Sequence, residues 1–150
     1  MTLVPVRFQG LIEYKEVYMK ALIKIFTCLL CAFTLVGCAY KHQPIMTPNG
    51  TIPAGLTTKQ VQDAIKVGCT SYNWDVTRVS GTAVEAQMNK ASVGATVRID
   101  FDKSNYSISL VDSVGLNQNR SKNEIHNRYN TWVTNLKNAI DTSLRNETVK

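Results

Sequence analysis

Three residues that could form a hydrolytic triad, Asp112, Ser113 and His126, occur in the C-terminal part of the chain. A catalytic serine needs a base beside it, and many hydrolases present it on a sharp turn flanked by glycines. The sequence around Ser113 does not match such a turn, and residues of these three types occur in most chains. We therefore expect no catalytic residues and predict that the protein is not an enzyme.

Metal and phosphate chemistry have equally little support in the sequence. His42 and His126 are the two histidines of the chain, so a histidine-based metal site would lack ligands. Asp100 and Asp102 lie close together in the sequence, but their surroundings do not match a calcium-binding loop. A glycine-rich phosphate-binding loop is also missing. We expect no metal site and no cofactor.

The most specific signal is the stretch from Met19 to Cys38. Lys20 and Lys24 form a short positive region, and the uncharged apolar run 25–36 follows it. A positive region, an apolar run of roughly 7–15 residues and small residues at the end are typical of an export signal. A membrane-spanning helix needs about 20 apolar residues, which is more than this run contains. The stretch therefore predicts export.

The last four residues of this stretch, Leu35-Val36-Gly37-Cys38, resemble the lipobox of bacterial lipoprotein signal peptides. The resemblance implies that the Cys38 thiol receives a diacylglyceryl group and that a peptidase cuts after Gly37. It also implies that residues 19–37 are removed. In Gram-negative lipoproteins an aspartate after the cysteine favours the inner membrane, whereas this chain has Ala39. The resemblance therefore implies an outer-membrane lipoprotein on the periplasmic side, similar to small envelope lipoproteins without an assigned role.

Residues 1–18 carry mixed charge and no clear periodicity, and they are unusually long for a region that precedes an export signal. Lys15-Glu16-Val17 can be encoded by a ribosome-binding sequence placed just upstream of the Met19 codon. We therefore expect Met19 to be the true start and residues 1–18 to be a misassigned upstream extension. The alternative is a genuine leader that helps membrane targeting.

The positions of the four cysteines agree with a cleaved lipoprotein signal. Cys28 and Cys31 have the C-x-x-C spacing of redox and metal motifs, but no second ligand pair follows them. Both would leave with the signal, and Cys38 would carry lipid. Cys69 would then remain alone, so the mature chain would have no internal disulfide and would depend on its core for stability. We expect Cys69 to be a small buried apolar residue.

Residues 38–55 are predicted to be a flexible tether, because three prolines and two glycines resist both helix and sheet. A single domain is expected over residues 56–150. Its first element is a helix of about three turns: Thr57 and Gln60 form a capping box, and Gly68 marks the end. Apolar residues at helical spacing follow the cap, namely Val61, Ala64, Ile65 and Cys69.

The middle of the domain alternates between apolar and polar residues with the period of a β-strand. This alternation predicts four strands within 74–80, 82–89, 93–101 and 106–110. The connections between them are short, so neighbouring strands should be antiparallel and form a meander. Each strand should bury one face and expose the other.

A second helix is predicted after a polar loop over residues 114–120. Ser121 and Glu124 have the spacing of another capping box. An apolar stripe of about six turns then follows, consisting of Ile125, Tyr129, Trp132, Val133, Leu136, Ile140 and Leu144. Two helices with one apolar stripe each can both pack on the apolar face of the sheet. The predicted fold class is therefore two-layer α+β, with the order α-β-β-β-β-α.

The polar face of the sheet is the candidate partner-binding face. Its residues are Glu85, Gln87, Thr96, Arg98, Asp100, Ser107 and Ser109, with Arg98, Arg120, Lys122 and Arg128 as a basic rim. The whole chain has a net charge of +6, but the part from Cys38 onward has 13 basic and 9 acidic residues and carries only +4. A charge of this size does not by itself indicate nucleic acid as a partner. We expect a membrane anchor at Cys38 and a non-enzymatic scaffolding or partner-binding domain. The alternative is a small-ligand or peptide binder, such as an inhibitor-like module, that uses the open sheet face.

Overall fold

The computed structural model describes residues 18–20 and 42–149. Tyr18–Lys20 is helical, and the elements described below belong to the compact unit Lys41–Lys150. The lipobox with Cys38 and residues 1–17 lie outside the described residues. The lipid anchor and the start at Met19 therefore stay predictions.

Helix α1 spans Thr58–Ser71 and begins with the predicted capping box. The Thr57 hydroxyl accepts from the Gln60 amide at 3.3 Å, and the Thr57 amide donates to Gln60 Oε1 at 2.9 Å. The prediction that Gly68 ends the helix is wrong, because the helix continues for three more residues. A Cβ on Gly68 would lie 2.9 Å from the backbone of Ile140, so this glycine lets the two helices approach closely.

The main sheet has five antiparallel strands, namely β2 (Asn49–Thr51), β3 (Asp75–Val79), β4 (Ala83–Lys90), β5 (Val93–Phe101) and β6 (Asn105–Val114). Their order across the sheet is β2-β6-β5-β4-β3. The four predicted strands are β3 to β6, and they form the predicted meander. The α+β fold class is therefore confirmed, with β2 as an additional edge strand.

A second, two-stranded sheet pairs β1 (His42–Pro44) with β7 (Glu124–His126), and helix α2 (Asn127–Glu147) follows directly. The predicted capping box at Ser121 and Glu124 is wrong, because Glu124 lies in a strand. His126 caps the helix instead, and its Nδ1 accepts from the Arg128 amide at 3.0 Å. Pairing with β1 keeps residues 124–126 extended, and this pairing delays the start of the helix.

The prediction of a flexible tether over residues 38–55 is wrong for its described part. Both β1 and β2 lie in this segment, and Ile52 is buried in the core. The Ile108 amide donates to the Pro48 carbonyl at 2.8 Å, which adds to the pairing of β2 with β6. Proline and glycine disfavour regular elements locally, but these tertiary hydrogen bonds hold the segment against the sheet.

The core lies between the two helices and one face of the main sheet. Its largest fully buried side chains include Trp74, Tyr106 and Tyr129. Leu116, within the predicted polar loop over residues 114–120, is also fully buried in the core. Cys69 is a buried free cysteine, as predicted, and burial raises the pKa of its thiol to about 12.

Candidate functional site

The seven residues of the candidate partner-binding face lie on one face of the main sheet, opposite the helices. All seven are half-buried, and the antiparallel register arranges them in rows that run across the strands. One row contains Glu85, Arg98 and Ser109 on β4, β5 and β6. Gln87 opposes Thr96 in the second row, and Asp100 opposes Ser107 in the third. We call this surface the polar face.

Arg98 is the electrostatic centre of the polar face. Its Nε donates to Asp100 Oδ1 at 2.8 Å, and its Nη1 donates to Glu85 Oε1 at 3.2 Å. The hydrogen bond to Asp100 and the charge of both carboxylates raise the pKa of Arg98. One cation therefore lies between two anions, and the three side chains together carry one negative charge. The Glu85 side chain is 24% exposed and that of Asp100 is 49% exposed, so both carboxylates remain accessible to a partner.

The rows extend further than the sequence predicted. Arg78 on β3 opposes Glu85, and Asp75 opposes Gln87. On β6, Asp112 opposes Thr96 and lies 3.6 Å from Arg120. Sequence alternation missed these residues because β-bulges shift the register in β3 and β6. Together with Arg120, the extended polar face holds four carboxylates and three guanidinium groups. Its negative charges therefore outnumber its positive charges by one, and the carboxylates suit a partner with positive charge.

A depression of about 680 Å³ lies at the end of the polar face where β2 joins β6. Its lining includes Asp100 and Ser107 from the predicted face, together with Asn49, Thr51 and Asp102. The Asp102 carboxylate accepts from the amides of Ser104 and Asn105 at 2.7 Å each, and these bonds lower its pKa. The sequence did not predict this depression because it assigned β2 to the tether.

The three triad candidates have structural roles. Ser113 Oγ donates to Gln118 Oε1 at 3.0 Å, and Asp112 forms an ion pair with Arg120. His126 caps α2 through Nδ1, which therefore already accepts a backbone hydrogen bond. These contacts lie at the end of β6 and at the start of α2.

Comparisons with known proteins do not assign the polar face. No protein-family model, curated protein or solved structure matches this chain. Within residues 18–20 and 42–149, no three His, Cys, Asp or Glu side chains are placed to hold a metal ion. In the same residues, no helix has both the length and the apolar character needed to cross a membrane. The functional proposal therefore depends on the sequence motif at Cys38 and on the geometry of the polar face.

Proposed function

We propose that the protein is a lipid-anchored envelope lipoprotein whose domain binds a protein partner through the polar face and catalyses no reaction. The observation that carries the binding role is the arrangement of the main sheet, with both helices on one face and charged side chains in register on the other. The lipobox at residues 35–38 supports the anchor at Cys38, and Ala39 supports an outer-membrane location on the periplasmic side.

A wet face is common in antiparallel sheets, so polarity alone does not support binding. The charged cluster of Glu85, Arg98 and Asp100 is the more specific feature, because it concentrates three charges on two adjacent strands. Exposed ion pairs contribute at most about 1 kcal/mol to folding. The cluster is therefore of minor importance for stability, and its carboxylates suit a partner surface that presents lysine or arginine.

The anchor is tested by growing cells with a clickable fatty acid and comparing Cys38→Ala with Cys69→Ala. Both variants lose one thiol, but Cys69 is buried in the domain and serves as the matched control. We expect the label to disappear from Cys38→Ala and to remain on Cys69→Ala. Label retained on Cys38→Ala would contradict the lipid anchor.

The binding role is tested by crosslinking intact envelopes and recovering the protein with its partners. The double variant Glu85→Gln and Asp100→Asn removes both negative charges around Arg98 with little change in shape. The matched control, Asp63→Asn with Glu147→Gln, removes two carboxylates from the helices. We expect the polar-face variant to lose its crosslinked partner and the control to keep it. Recovery of the same partners with both variants would exclude this face.

The depression beside Asp100 and Ser107 favours a second candidate function, the binding of a small ligand or a short peptide. Selection of a displayed peptide library against the protein tests this alternative. Peptides that bind the protein but not its Asp100→Asn variant would support it, especially if envelopes yield no protein partner. A library that gives no enriched sequence would favour the protein-binding role.

A further inference from the structure

We propose that the domain rests on an anionic lipid surface through the edge that receives the N-terminal chain. This entry edge consists of β1, β7 and the turn 119–123. The inference depends on the proposed lipid anchor at Cys38, and it specifies which part of the domain the anchor holds against the membrane.

The first step is the length of the link between lipid and domain. Strand β1 begins at His42, four residues after Cys38. A fully extended chain covers at most about 3.6 Å per residue, so this link spans at most about 14 Å. An unstructured tether over residues 38–55 would reach roughly 60 Å by the same measure. The lipid anchor would therefore keep His42 close to the membrane surface.

The second step is that the chain is firmly attached where it enters the domain. The Ile45 amide donates to the Asn123 carbonyl at 2.9 Å. Asn130 Nδ2 donates to the Pro44 carbonyl at 2.9 Å, and Asn130 Oδ1 accepts from the Met46 amide at 3.1 Å. The Asn130 side chain is buried and the two bonds are partly buried, so water has limited access to them. The link would therefore hold the entry edge itself at the membrane.

The third step is the charge of the entry edge. Arg120, Lys122 and Arg128 are exposed and lie within a few residues of β7. Arg120 lies 3.6 Å from Asp112, whereas Lys122 and Arg128 have no carboxylate within 4 Å in the part of the chain that the structure describes. Glu124 is the acidic residue of β7, and its Oε2 lies 4.0 Å from His42 Nδ1. Two cations thus remain available for lipid phosphate groups.

The size of the effect follows from membrane electrostatics. Each lysine or arginine near an anionic surface strengthens attachment about fivefold, and high salt screens the attraction. Replacing Arg128 with glutamate removes one attraction and adds one repulsion, so the docked population relative to the undocked one should fall by more than about fivefold.

The test uses the lipid-modified protein purified from cells and reconstituted into vesicles of phosphatidylglycerol or of phosphatidylcholine alone. A soluble acetylating reagent reports the exposure of each lysine, and mass spectrometry compares Lys122 with Lys103. Lys103 lies in the turn between β5 and β6, at the opposite end of the sheet, and is the internal control. The variant Arg128→Glu is matched by Arg145→Glu in the last turn of α2, about 25 Å along the helix.

We expect Lys122 to react several-fold more slowly on phosphatidylglycerol than on phosphatidylcholine, with Lys103 unchanged and protection lost at high salt. Arg128→Glu should abolish this protection, and Arg145→Glu should preserve it. Equal reaction of Lys122 on both lipids would overturn the docking inference and leave the anchor intact. A Cys38 peptide without added lipid mass would overturn the anchor and the inference together.

Discussion

Replacing Asn130 with alanine tests how the N-terminal segment is held to the domain. The Asn130 side chain lies on helix α2, is 6% exposed, and bonds to the backbone on both sides of Ile45. The substitution would remove one donor and one acceptor from a buried site. The Pro44 carbonyl and the Met46 amide would then lose their partners.

The expected cost follows from these two bonds. A buried backbone group that loses its partner costs about 1–3 kcal/mol, and both groups are only partly buried, so the lower half of this range applies to each. Alanine is a better helix former than asparagine and returns about 0.5 kcal/mol. We therefore expect Asn130→Ala to lower the free energy of unfolding by about 1.5–3.5 kcal/mol.

Urea denaturation followed by tryptophan fluorescence measures this loss, and Asn138→Ala is the matched control. Asn138 lies on the same helix and is exposed. Its replacement by alanine therefore gains helix propensity but breaks no buried hydrogen bond. Hydrogen exchange should also show faster exchange at the Met46 amide in Asn130→Ala. Equal unfolding free energies for the two variants, with equal exchange at Met46, would refute the reasoning about this attachment.

Three further predictions concern the helices. Trp132→Ala should lower the free energy of unfolding by about 3–5 kcal/mol in chemical denaturation, because this side chain is 8% exposed in the core. Gly68→Ala should be destabilising by about 1–2 kcal/mol, because the cost of overpacking against Ile140 exceeds the gain in helix propensity. A variant more stable than the original protein would show that the two helices can move apart. Hydrogen bonds from Lys66 and, to a smaller extent, from Lys59 lower the pKa of Asp63 to about 2. The contribution of these bonds to stability should therefore be present above about pH 4 and be lost as the pH falls through 2. Carbon-detected NMR titration should give this midpoint for Asp63, and Lys66→Ala should raise it.

The strands that sequence predicted best are those with one fully buried face. On β5, Val97 and Ile99 are fully buried while Thr96 and Arg98 are not, so the alternation in the sequence reflects the two faces directly. On β6 the alternation stops after Leu110, because a bulge opposite Thr96 and Val97 leaves the next residue, Val111, exposed. The sequence therefore ended this strand four residues early.

Ile125 shows why the start of α2 was placed too early. It lies four residues before Tyr129, which fits the apolar stripe of a helix, and it is buried as that stripe requires. A buried residue in a short strand satisfies the same pattern, and only the pairing of β7 with β1 distinguishes the two. That pairing joins residues 80 to 84 positions apart, so local periodicity contains no information about it.

The polar face was predictable in composition but not in geometry. Alternation placed Glu85, Arg98 and Ser109 on the exposed side of their strands, and the structure agrees. Their alignment in one row depends on turn lengths and on the bulges that shift the register. The depression beside Asp100 required β2, in which Asn49 and Gly50 have low intrinsic preference for a strand.

The pairing of β1 with β7 changes how far an anchored domain is expected to move from the membrane. With a tether over residues 38–55, an anchored domain would move freely through a layer of roughly 60 Å above the membrane. With β1 attached at His42, a domain anchored at Cys38 would stay within about 14 Å of the surface at its entry edge. A short link raises the effective concentration of the domain at the bilayer and limits its rotation.

The entry edge lies at the end of the sheet where β6 finishes, whereas the depression lies at the end where β6 begins. In the proposed arrangement, the attached edge would thus face the lipid, and the depression would lie at the opposite end of the strands, where a partner in the periplasm could reach it.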